Sequence, residues 1–291
     1  MTLLDQKRLG LILRVFSPKA ELVEKSVQQI VETIDLAGKL IIGGRQVFSR
    51  IDILVSADNR YGDTDCGLTR EALLKKIDQL INKNKIYVTE ISHGDIYCGM
   101  LNRGVADQML YGLEFSMILS SGVKDYLTFE NMTAMLEALE RGARVTGLAI
   151  TELAPSILEG RIANTCAIWD NISLMTVNGF DLRAAKPLKD DRLANYVRGW
   201  SLEKGEVFYH AAGVEEILPL IRLIKHFGGP CIAPILPVTG ARWEVSDDPD
   251  VQKREINKLG TKFERQMRWA VMEDVDLSFI KGGVMPEYRV K

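Results

Sequence analysis

No run of about 18 uncharged apolar residues occurs anywhere in the 291 residues, so no bilayer-spanning helix is expected. Near the N-terminus, acidic and basic residues precede an apolar run too short for a signal-peptide core, and the expectation is a soluble cytoplasmic protein. An excess of either charge is missing too: 37 Lys and Arg stand against 39 Asp and Glu, a net charge of −2. That balance gives no general electrostatic reason to expect nucleic acid or an anionic membrane as partner. The four cysteines, Cys66, Cys98, Cys166 and Cys231, form no C-x-x-C pair, which argues against a zinc ribbon or disulfide framework and for free thiols. Three histidines, His93, His210 and His226, have no metal-ligand spacing. Repeats, low-complexity tracts and clear linkers are absent, and Arg14 to Lys19 is not the Gly-rich loop that a nucleotidyltransferase would place after its first strand.

What is present is an apolar content of 46%, enough for one principal domain with additions. Apolar runs alternate with stretches of helical periodicity. Strands are expected at 9–16, 51–57, 85–91, 113–119, 143–150 and 231–238. Helices are expected at 19–40, 69–81 with Thr69 as N-cap, 97–110, 131–141, 215–227 and over the charged tail at 247–268. Such alternation predicts a mainly parallel sheet covered on both faces, with ligands bound where loops leave the carboxyl ends of the strands. The segment from 155 to 214 shows no clear period.

Four segments carry groups suited to chemistry. Ser56 to Asp65 is a carboxylate-rich loop after a buried strand, fit to meet a base, a ribose or a cation, and equally fit for turns and caps. Gly99 to Ala106 places Asn102 and Arg103 near a helix start, where a diphosphate can be approached; a solvated helix face would look the same. Trp169, Asp170 and the Asn178-Gly-Phe-Asp181 segment offer aromatic and carboxylate groups to a sugar, or aromatics to a core. Glu215 and Glu216 open a helix containing Arg222 and are either first-turn charges or a general base.

Taken together and in order, these segments resemble the inverting family 2 glycosyltransferases, whose GT-A domain is a Rossmann-like, mainly parallel α/β sheet flanked by helices. The resemblance rests on Asp58, Asn102-Arg-Gly104, Ser120-Ser-Gly122, Asn178-Gly-Phe-Asp181, and Glu215-Glu216 with Arg222. It implies a GT-A-like domain over residues 1–240 and leaves the charged tail unexplained; that tail is expected to be a helical extension, 241–291, packed on the domain. It implies a nucleotide-sugar donor held by Arg14, Ser17, Asp58, Asn102, Arg103, Ser120 and Ser121. It implies a hydroxyl acceptor held by Trp169, Asp170 and Asp181, and Glu216, seconded by Glu215, as base. The family's D-x-D would hold Mg²⁺ or Mn²⁺, yet Ser120-Ser121-Gly122 stands at that place and serines supply no negative charge. Asp125 and His210 are the remaining candidate ligands, and Arg103 and Lys124 are cations that can serve in a metal's stead. The alternative is a GT-A-like binding or interaction module without catalysis.

Overall fold

The computed structural model describes residues 8–15, 17, 20–57, 66–80, 85–92, 98–148, 162, 165–185, 200–201, 207–208, 214–236, 248–250, 252–253 and 261–289. Among these, seven strands form one sheet: β1 (Leu9–Val15), β2 (Arg50–Ala57), β3 (Ile86–Ser92), β4 (Phe115–Leu119), β5 (Val145–Leu148), β6 (Cys166–Asp170) and β7 (Ile232–Ile235). Their order across the sheet is β7-β5-β6-β4-β1-β2-β3. All run in one direction except β6, which is antiparallel to both neighbours, β4 and β5. The α/β class and the mainly parallel Rossmann-like sheet are therefore as expected.

Alternate side chains of each strand point to opposite faces, so the strands feed two separate cores. Leu9, Leu11, Leu13 and Val15 of β1 pack with α1 (Val23–Lys39), α2 (Cys66–Ile77) and α4 (Phe129–Glu140). Ile12, on the other face, packs with α3 (Cys98–Leu110), α5 (Asn171–Thr176), α6 (Ile217–Phe227), α7 (Lys262–Met272) and α8 (Leu277–Gly282). The boundaries differ from expectation mostly at the ends. Thr69 is not an N-cap: α2 begins at Cys66, and Thr69 lies buried in its first turn. Thr128 does cap a helix: its hydroxyl accepts from the Asn131 amide at the start of α4.

Two features were not anticipated. Cys166-Ala-Ile-Trp169 is buried on both faces, so it lacks the alternation that marks a half-buried strand and carries no strand signal in the sequence. The charged tail also closes the sheet's far edge. The Cys231 and Ile232 amides donate to Gly283 O, and the Met285 amide donates to Ile232 O. No described helix is long and apolar enough to cross a membrane.

Candidate functional site at the carboxyl edge of the sheet

From β1 the chain builds outward through β2 and β3, then crosses to β4 on the other side of β1. The strand order therefore reverses between β1 and β4, and the crevice outside their carboxyl ends is the position at which open α/β sheets bind ligands. Leu13 pairs with Leu119 there. Arg14 and Ser17 follow on one side, and Ser120, Ser121 and Gly122 open a 3-10 turn on the other. Ser17 is buried and its hydroxyl has no hydrogen-bond partner. The Ser120 amide donates to Thr165 O. Asp58 and His210 lie outside the described residues.

Cys98, at the start of α3 beside this crevice, locates the charged groups around it. Burial pushes its thiol pKa up, Glu215, Asp181 and Glu216 push the same way, and Arg14 opposes them. The Asn102–Phe180 hydrogen bonds and the Asp181–Arg222 ion pair join α3, the 178–181 turn and α6 on the sheet face that Arg14 shares with Ile12.

Asn102 and Arg103 take other roles than the donor contacts expected of them. The Asn102 amide group donates to Phe180 O at 2.8 Å, and its carbonyl accepts from the Phe180 amide at 2.8 Å. Its polar head is thereby committed to the backbone of a turn in which Asn178 and Gly179 both have positive φ. Arg103 is exposed and forms an ion pair with Asp107 one turn along the helix. A Cβ on Gly179 would lie 2.5 Å from Asn102 Oδ1, at φ +62°. Gly179→Ala should therefore cost roughly 2–4 kcal/mol from backbone strain and overpacking, measured by urea unfolding. An unchanged midpoint would mean that the turn does not bear on α3.

The turn delivers Asp181 to Arg222 on α6, 2.6 Å away, with Arg183 at 2.7 Å and Glu273 3.7 Å from Arg222. Burial alone would raise the Asp181 pKa, but hydrogen bonds from Arg183 and Arg222 outweigh it and hold the carboxyl well below the usual range.

Trp169 and Asp170 sit at the opposite edge, which corrects their expected place beside an acceptor. Strand β6 runs backwards, so its end meets the beginning of β4: Asp170 pairs with Phe115, and Cys166 with Leu119. Trp169 is 0% exposed and packs edge-on to Phe180, with ring centres 5.3 Å apart. Asp170 caps α5 by accepting from the Ser173 amide and also pairs with Arg144 at 3.3 Å.

Glu215 and Glu216 are both buried, at 5% and 1% exposure, just before α6. Helix α6 leads into a parallel strand, so its head lies on the carboxyl edge. Glu216 is met there by the C-terminal helix: Lys262 Nζ is 2.7 Å from its Oε1, and Gln266 Nε2 donates to the same oxygen at 3.4 Å. Arg265 is almost fully buried; burial lowers its pKa, and Glu216 and Glu215 act against that lowering. Arg268, one turn further, is 3% exposed, and its Nε and Nη1 are buried without a hydrogen-bond partner. Its paired carboxylate, Glu264, is 3.8 Å away. Buried guanidinium donors without acceptors are costly, and an anion would satisfy them. Sequence reading missed these residues, although Lys262, Arg265 and Arg268 recur every three positions in one face of a helix.

The described residues do not fit a divalent cation held as the family would hold it. Ser120 and Ser121 are neutral, Asp125 is exposed on the 3-10 turn, and Lys124 reaches Glu32 at 3.6 Å. Among the described residues no group of three His, Cys, Asp or Glu side chains converges on a metal-sized site. A cavity of about 410 Å³ lined by Ile34, Phe48, Ile51 and Ile86 lies near the opposite edge of the sheet, at the entry to β2 and β3, away from this chemistry.

No protein-family model matches the chain, and no curated protein matches its sequence. Among solved structures, the chain is similar to a cytidylyltransferase from Leptospira borgpetersenii, with 10% identity, a TM-score of 0.45, and coverage of 96% of this chain and 98% of that one. A likeness that loose carries no conclusion about activity.

Proposed function

We propose that the chain transfers a sugar from a nucleoside-diphosphate donor to a hydroxyl acceptor with inversion, Glu216 being the general base. The reading is carried by one observation: the paired carboxylates at the head of α6 lie on the same edge and face of the sheet as Arg14, beside the crevice between β1 and β4. The nucleoside lies along residues 14–17 and 58–65, with Ser120 and Ser121 facing it across the crevice. The acceptor hydroxyl oxygen attacks the anomeric carbon as Glu216 takes its proton. The bond from that carbon to the diphosphate oxygen breaks, and the nucleoside diphosphate leaves with the electron pair.

The leaving group carries away negative charge, which fixed cations stabilise when no metal does so. Arg265 and Arg268 are suited to this task because a planar guanidinium donates two parallel hydrogen bonds to a phosphate. Asp181, clamped by Arg183 and Arg222, forms a rigid wall beside the acceptor.

A thermal-shift panel of UDP, GDP, CDP and dTDP sugars, each with Mn²⁺ or with EDTA, tests the reading. One nucleotide at a hundred times its Kd should stabilise the fold by about 2.7 kcal/mol, equally in both conditions. No shift with any nucleotide removes the reading. A shift without any transfer or hydrolysis of the sugar leaves the non-catalytic binding module, which the burial and ion pairing of Glu216 favour.

A further inference from the structure

The ion pair between Lys262 and Glu216 is lopsided. The lysine engages Oε1 at 2.7 Å, whereas Oε2 is buried without a hydrogen-bond partner, as is Oε1 of the adjacent Gln266. One carboxylate oxygen is thus occupied and the other is kept open in a site sealed from water. Lysine differs from arginine in ways that matter here: its ammonium is compact, its four-carbon stem is flexible, and its three donors are not tied to one plane. It can therefore change partners over a few ångströms without rebuilding its surroundings. Its side chain is 12% exposed while that of Glu216 is 1% exposed, so the lysine is the more accessible member of the pair. Arg265 and Arg268 follow it in the same helix at one-turn spacing, both buried. A diphosphate drawn to these guanidinium groups would present Lys262 with a doubly charged acceptor in competition with a single carboxylate.

We propose that Lys262 is a shared cation, clasping Glu216 in the ligand-free protein and passing to the diphosphate of the donor, so that the base is released only once the donor is seated. The inference rests on the donor-binding reading above. It explains why a group placed for proton abstraction is neutralised by a residue some 46 positions away in the C-terminal segment, and it imposes an order: donor first, acceptor second.

The test is calorimetric binding of inorganic pyrophosphate to the full chain in EDTA. The wild type should bind. Lys262→Ala should weaken binding about tenfold and Lys262→Arg should retain most of it. Glu216→Gln should tighten binding severalfold, because the lysine no longer has to leave a carboxylate, and should add nothing in a Lys262→Ala background. Glu215→Gln removes the same charge one residue away without touching the clasp, and its effect should be much smaller. Melting curves of each variant separate lost binding from lost folding, and the gain expected of Glu216→Gln cannot arise from a damaged protein. Pyrophosphate binding that is absent, unchanged in Lys262→Ala, or tightened equally by Glu215→Gln overturns the proposal. Nucleoside diphosphates that bind while pyrophosphate does not leave the transferase reading standing and sink only the role of Lys262.

Discussion

Glu216→Gln should lower sugar transfer by on the order of 10²–10⁴-fold while donor affinity is kept or improved. Glutamine has the same length and fills the same buried volume, so the packing at the head of α6 is undisturbed, but its amide does not accept a proton from the attacking hydroxyl. The expectation separates binding from chemistry: kcat falls and donor Kd does not rise. Glu215→Gln is the internal comparison. Glu215 is also buried and precedes α6 by one more residue, yet it is Glu216 that Lys262 engages. Transfer at wild-type rate in Glu216→Gln would remove it as base, and a larger loss in Glu215→Gln would move that role to its neighbour. Because the substitution removes the charge on Glu216 and so breaks its ion pair with Lys262, an altered melting temperature is expected alongside; it does not account for a change confined to kcat.

Gly10→Ala should unfold the protein at markedly lower denaturant, by roughly 3–5 kcal/mol, a third or more of the stability typical of a domain. Glycine is needed here for closeness: a Cβ would lie 2.4 Å from Cδ and Oε1 of Gln108. A glutamine head normally swings aside at little cost, but this one is held on three sides. Its amide donates to Leu11 O at 3.1 Å and to Asp52 Oδ2 at 2.9 Å, and its carbonyl accepts from the Ser116 hydroxyl at 2.6 Å. All three polar side chains are at most 1% exposed. Displacing Gln108 strips buried groups of their partners on β1, β2 and β4 together, leaving Asp52 to the Arg50 guanidinium at 2.7 Å. Gly38→Ala is the control, since it lies in α1 with nothing within 4 Å of the added carbon. That change should be neutral or stabilising by up to about 1 kcal/mol. Similar urea midpoints for the two variants would mean that the Gln108 network contributes little.

The two predictions draw on residues of unequal visibility in the sequence. Glu215-Glu216 before an apolar helix is visible as a motif, as is the carboxyl-edge position of Arg14, Ser17 and Ser120, because each follows a run whose burial period reveals a strand. Gln108 is not. It reads as one polar residue on an amphipathic helix, and only the strand packed beneath it shows that it closes a buried network. The C-terminal helix is a similar case: its packing on the domain is expected from the sequence, but only the contact of α7 with the head of α6 shows which of its cations meets Glu216.

The order of strands and helices from β1 to β5, the pairing of α6 with β7, the two-sided burial and the edge on which the loops gather were determined by the sequence alone, since these depend on periodicity, which those segments carry within themselves. Tertiary structure decided the rest. The direction of β6 moved Trp169 and Asp170 to the far edge, and no local pattern encodes direction in a strand buried on both faces. The turn at Asn178 and Gly179 claimed Asn102 from 78 residues away along the chain, and the fold brought Lys262 onto Glu216. A polar side chain shows in sequence only that it needs a partner; which partner it finds depends on what the packed helices and strands place opposite it.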